Sequence, residues 1–238
     1  MLRITANPYQ TFATQGEVAI LAERAGARDA VSALSFKEIM KSFPDADDFV
    51  SENFQGISAE GQTLQGRVFE DCGLNGCNFS EATFADCKFV DCTFTHCNLS
   101  NVMLGGSRFS NVEFIESKVL GVDWTRATWP RVAVGAPLQF RRSILNDSTF
   151  SGLTLEAIVI EDCKAHGVDF RDANVSRGNF SRTDFRNALF GKTNLEDVDF
   201  SGASNYAIDV FDNRIERAKF TRDEALSLLH SLGIELVD

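Results

Sequence analysis

The residues of this sequence best suited to chemistry are its six cysteines, and their spacing is unusual. Cys72, Cys77, Cys87, Cys92 and Cys97 recur at intervals of five or ten, and Cys163 stands apart. Zinc ligands are normally two to four residues apart, so this pattern predicts buried thiols rather than a metal centre or a disulfide framework. His96, His166 and His230 are scattered, and no spacing pairs them with a nucleophile or a metal ligand. No glycine-rich phosphate loop is present. The expectation is a protein without catalytic residues, metal or cofactor.

The cysteine interval belongs to a longer repeat. Stepping by five from Phe49 gives an apolar centre at each step, including Phe54, Leu64, Phe69, Leu74, Phe79, Phe84, Phe89 and Phe94, and so on to Val134. After a slip of one at Gly135-Ala-Pro137 the series resumes at Phe140 and runs to Phe220, interrupted only by the polar Asn205. The position two before each centre is usually small, and all six cysteines occupy it. A period of five fits neither a helix nor an alternating strand, so the chain must turn once per repeat. Four five-residue sides closing into a square coil bury both columns and leave three positions per side to solvent. Thirty-five centres make nearly nine such coils, a rod about 40 Å long at strand spacing. The fold class is an all-β solenoid, a right-handed quadrilateral β-helix, and it accounts for 21 Phe against two Tyr and two Trp. Paired carboxylates such as Glu113 and Glu116 find no pocket on a convex rod to raise a pKa for acid-base work.

The segments Cys-Asn-Phe-Ser-Glu (77–81), Ala-Thr-Phe-Ala-Asp (82–86) and Ala-Leu-Phe-Gly-Lys (188–192) resemble the A(D/N)LXX consensus of pentapeptide-repeat proteins. The stretch from Tyr206 to Ile234 resembles the end of the bacterial Qnr, McbG and AlbG group, as does Leu120-Gly-Val-Asp-Trp-Thr-Arg-Ala-Thr-Trp-Pro130. That resemblance implies a head-to-head homodimer joined by C-terminal helices, which mimics duplex DNA, binds DNA gyrase and protects this type II topoisomerase from a poison of albicidin, microcin or quinolone type. Members active against quinolones often carry long projecting loops; this sequence has none, which points to another poison.

The flanks differ from the repeats. Residues 1–48 carry no repeat, and 15–33 and 35–42 are predicted as amphipathic helices, either a cap on the first coil or a separate partner-binding arm. Residues 221–238 open on the capping box Thr221-Arg-Asp-Glu224, followed by leucines at helical spacing and Gly233. A helix of about three turns is marginal in water alone, so its apolar face must be covered. It either caps the last coil or forms a two-fold contact. The amount of leucine favours the dimer, through Leu226, Leu228, Leu229, Leu232 and Ile234.

A net charge of −11 disfavours nucleic acid or an anionic membrane as a direct ligand and favours a basic protein surface. Without a membrane-span run or a secretory signal, the expected location is the cytoplasm. Assigning centres to four faces in rotation places Glu70, Asp71, Asp91, Asp169 and Asp172 on the face begun by Phe49. The same rotation places Glu113, Glu116 and Glu156 on the next. These eight carboxylates are the expected partner contacts. A dimeric rod of about 80 Å would match the length of roughly 20–25 base pairs. The alternative is a general interaction scaffold or effector with no topoisomerase role.

Overall fold

The computed structural model describes residues 43–44, 46–130 and 135–234, all within the second of two compact units, Met1–Met40 and Lys41–Asp238. The helices expected over 15–33 and 35–42, the centre Val134 and the His230 side chain lie outside the described residues.

The period of five becomes a right-handed, four-sided parallel β-solenoid of about eight coils. Sides lie over sides twenty residues earlier. Phe49 pairs with Phe69, Phe69 with Phe89 and Phe89 with Phe109 in one four-stranded sheet. A six-stranded sheet on the next side runs from Asn53–Gln55 to Val159–Glu161, and parallel bridges continue the ladder on the other two. Of the expected core columns Phe79, Phe84, Phe89 and Phe94 are buried, as are Cys72, Cys77, Cys87, Cys92 and Cys97, while Phe190, Ile215 and Phe220 are partly buried and Asn205 is exposed. Rings stack on rings between coils, Phe69 on Phe89 at 4.9 Å and Phe150 on Phe170 at 5.3 Å. A twenty-residue turn sets like residues one above another, which explains the abundance of phenylalanine.

Each corner needs one residue in the left-handed region, and it falls two positions after the centre. Glycine supplies it early, at Gly56, Gly61 and Gly66, and aspartate or asparagine often supplies it later, as at Asp71, Asp86, Asp91, Asn101 and Asp172. Short polar side chains tolerate this conformation better than most.

The small inward position has a second task besides fitting. Along one corner the backbone N–H of each small residue donates to the side chain of the small residue one coil on: Cys77 to Cys97, Cys97 to Ser117, Ser117 to Ser143, Ser143 to Cys163 and Cys163 to Thr183, at 3.0 to 3.4 Å. The same side chains donate to carbonyls of the preceding coil, as from Ser117 Oγ to Phe94 O at 3.1 Å. Where the next coil offers alanine or valine instead, the N–H bonds three residues back, as from Ala82 to Phe79. Cysteine, serine and threonine are thus chosen for small size together with a polar tip.

The interruption differs from a one-residue slip. Phe114 pairs with Phe140, and Asp123 with Thr149, so twenty-six residues separate these levels. Six residues more than a regular coil needs therefore lie between Trp129 and Leu138. Stacking decides this: Phe140 lies on Phe114 at 5.0 Å and Phe150 on Trp124 at 5.9 Å. A slip of one would instead have set Phe140 over Val119. Every face assignment after residue 140 therefore moves back by one side.

At the C-terminus the capping box does not form. Thr221 Oγ1 accepts from Gly202 N at 2.6 Å, and Thr221 makes no side-chain cap. Deprived of that cap, the segment is one α-turn, Arg222–Ala225, followed by a 3₁₀ run, Leu226–Leu232. Leu228 packs against the core and Leu229 is half-buried.

Replacing Ser117 by alanine removes the acceptor of the Cys97 N–H and forces it to the turn bond three residues back, as at Ala82, which is expected to cost about 1 kcal/mol in urea unfolding. Replacing it by cysteine, which already fills the preceding rung at Cys97, should cost less than half as much. Equal losses from both would show that the ladder contributes nothing.

Candidate partner-binding surface

With the register corrected, the eight expected contacts do not form two faces. Glu70, Asp71, Asp91 and Glu156 share the side begun by Phe49. Glu113 and Glu116 lie on the following side, and Asp169 and Asp172 on the side of Trp124 and Phe150.

Several of the eight are also neutralised. The coil spacing that stacks phenylalanines brings surface residues into register too, and arginines settle over carboxylates. Arg141 bonds Glu113 at 2.8 Å and also pairs with Glu161. Arg142 bonds Glu116 at 2.9 Å, with His96 Nδ1 3.3 Å away on its other oxygen. Glu156 is paired with Arg177, Asp169 with Arg171 at 2.7 Å, and Glu70 with Lys88 at 2.7 Å. The Arg171 guanidinium holds Asp169 below the usual carboxylate range, and Arg182 and Arg217 do the same for Asp162 and Asp197. Asp71 and Asp91 carry only neutral partners, Ser51 Oγ at 2.8 Å and Asn111 Nδ2 at 2.7 Å. Among the described residues, Asp172 has no cationic partner within 4.0 Å.

The unneutralised charge is distributed along the axis rather than by face. Between residues 46 and 91 nine carboxylates meet only Arg67 and Lys88, and only Glu70 among them is ion-paired. Between 140 and 220 thirteen carboxylates meet eleven Lys and Arg. The largest excess of unpaired carboxylates among the described residues lies on the first coils, where Asp47, Asp48, Glu52, Glu60, Glu81 and Asp86 join Asp71 and Asp91. A running charge count along the sequence would have found these residues; a face assignment alone passed over them.

The convex surface also carries a hollow that the sequence did not suggest. On the side begun by Phe49, a cleft of about 370 Å³ is lined by Lys88, Phe89, Val90, Arg108, Phe109, Ser110, Thr128, Trp129 and Pro130. Pro130 has no N–H to donate to a ladder. No histidine, cysteine or carboxylate lines it. Among the described residues no group of three or more His, Cys, Asp or Glu is placed to hold a metal ion, and no helix is long and apolar enough to cross a membrane.

A second exposed feature is apolar. Phe211 is 75 % exposed, and Leu226, Leu232 and Ile234 are each about half exposed. Val210 N lies 3.5 Å from Ser231 Oγ, which ties the turn bearing Phe211 to the 3₁₀ run.

Stacked parallel coils with five-residue sides, whose interior is filled by side chains, define a β-solenoid repeat protein, a class that offers extended outer surfaces to its partners. Residues 68–136 and 122–200, more than half the chain, match the family described as Pentapeptide repeat region, and the chain belongs to that family. Two trypsin-treated variants of QnrB1, described as a plasmid-mediated fluoroquinolone resistance protein, share the fold. One superposes with a TM-score of 0.60 at 19% identity, covering 81% of this chain and 100% of the other. The second gives 0.55 at 18%, covering 80% and 97%. No curated protein sequence matches this chain.

Burial pushes the Cys92 thiol up to about 11 and that of Cys163 up to about 12. Both therefore stay protonated through neutral pH and are shielded as well. A thiol-disulfide reagent at pH 8 is expected to label none of the six cysteines in the native protein and all six after denaturation. Rapid labelling of Cys92 or Cys163 in the folded state would contradict this packing.

Proposed function

We propose that this protein acts by binding rather than catalysis, presenting an acidic, DNA-like surface to the basic DNA-binding channel of DNA gyrase in the cytoplasm. Occupying that channel would protect the topoisomerase from a poison of albicidin, microcin or quinolone type. The observation that carries this reading is the unneutralised acid of the first coils. Nine carboxylates against two cations over residues 46–91 provide a field that a basic groove would recognise. The fold shared with QnrB1, a fluoroquinolone resistance protein, supports the choice of partner. The C-terminal end would pair two copies through Leu226, Leu232 and Ile234, with Phe211 beside them, and Leu228 and Leu229 packed beneath. The two acidic ends would then point outward.

One observation favours the scaffold alternative. Glu113, Glu116, Glu156 and Asp169 are bound to arginines, so most of the rod is nearly neutral and lacks the regular charge of a duplex. On the gyrase reading only the first coils act as the mimic.

Purified protein titrated into a gyrase supercoiling assay, with and without ciprofloxacin, microcin B17 or albicidin, tests the reading. Rescue from one poison supports it and names the drug. Neither inhibition nor rescue at micromolar protein would end it. Asp71→Lys with Asp91→Lys should weaken gyrase binding by about tenfold or more, whereas Glu156→Gln should change it by less than about twofold. Lysine already occupies the same left-handed corner at Lys192, so these variants should fold.

Leu232→Glu with Ile234→Glu should convert a dimer to a monomer in light scattering. A wild-type chain that is monomeric at about 100 µM, well above the affinity of ordinary stable dimers, would remove the two-fold contact from the proposal.

A further inference from the structure

The cleft beside Trp129 combines an apolar hollow with two bordering cations. Three successive levels of one side build it: Lys88 and Val90, then Arg108 and Ser110, then Thr128 and Pro130, with the backbone of the buried centres Phe89 and Phe109 as its floor. Its volume of about 370 Å³ suits a small molecule. Ligand pockets begin near 300 Å³, while partner helices need long grooves.

The charge around it runs against the rest of the molecule. Two cations border the cleft in a chain of net charge −11. Lys88 is shared with Glu70 at 2.7 Å. Arg108 holds no carboxylate within 4.0 Å among the described residues, whereas nine of the twelve described arginines do. Of the other two, Arg67 is engaged by Pro44 O and the Phe43 ring, and Arg222 lies in the C-terminal turn. Among the described residues Arg108 is thus the arginine on the coils without a carboxylate or carbonyl partner for its guanidinium, and it borders an apolar hollow.

We propose that this cleft binds a small planar aromatic carboxylate. The guanidinium of Arg108 offers paired N–H donors matched to a carboxylate, with Lys88 adding a point charge. Val90, Pro130 and the half-buried Trp129 supply the apolar and aromatic walls for the ring. Peptide helices and nucleic acid fail on size or shape, and a free inorganic anion would leave the apolar walls uncovered. This inference is independent of the topoisomerase reading.

Titration calorimetry of the full chain with 2-naphthoate, set against its neutral isostere 2-naphthamide, tests the proposal. Saturable one-to-one binding of naphthoate is expected below about 1 mM, the affinity range of small fragments. Arg108→Gln should weaken naphthoate by about tenfold or more, equivalent to one charge-assisted pair, and leave the amide unchanged. Ser110→Trp should fill the cleft and abolish binding of both. Arg108 and Ser110 are exposed, so circular dichroism should confirm that both variants stay folded. No saturable binding by the wild type, unchanged naphthoate affinity in Arg108→Gln, or intact binding in Ser110→Trp would each overturn the proposal.

Discussion

Everything in this structure follows from laying each coil directly over the last, so that backbone N–H and C=O groups bond between levels. A parallel ladder of that kind leaves no freedom in register. The residue twenty positions on must suit the same slot, and phenylalanine stacks on phenylalanine from Phe49 to Phe109 and from Phe150 to Phe190. At the corners the constraint tightens, because the inward N–H has no carbonyl of the next coil opposite it. The chain meets this in two ways, with a tight turn or with a hydroxyl or thiol reaching from the neighbouring coil. That is why cysteine, serine and threonine replace one another along the column from Cys77 to Thr183.

The same constraint explains how the rod absorbs its interruption. An insertion must return the chain to the column it left, or every later side is presented to the wrong neighbour. Six extra residues lie between Trp129 and Leu138, and the ladder resumes with Leu138 opposite Val112, in the original slot. Arg141 and Arg142 then reach back to Glu113 and Glu116 across the gap. The cleft lies beside this insertion, on the side of Lys88, Arg108 and Thr128.

On the surface, stacking acts on charge as it acts on rings. Carboxylates one coil apart would repel, and interleaved arginines remove that cost, so Arg182 lies over Glu161 and Asp162, and Arg217 over Glu196 and Asp197. Part of the acid content has a backbone cause, since Asp71, Asp91 and Asp172 occupy left-handed corners. The acid of residues 46–91 exceeds both needs. It is spread over sides and corners alike and lacks arginines to balance it, which separates it from the rest of the rod.

The sequence by itself determined the repeat, the four-sided coil, the inward columns and the inert thiols, because period and side-chain size are local properties that every coil restates. Phe79, Phe84, Phe89, Phe94 and the cysteines could be placed inside from spacing alone. The faces beyond residue 140 could not, since choosing between one extra residue and six depends on Phe140 finding Phe114, a contact between levels. Nor could spacing show that Glu113, Glu116, Glu156 and Asp169 are bound by arginines twenty-one to twenty-eight residues away or in the same turn. The capping box failed for the same reason, its threonine being taken by Gly202 of the preceding coil. Only the tertiary structure decided which charges stay free, because stacking determines which side chains meet.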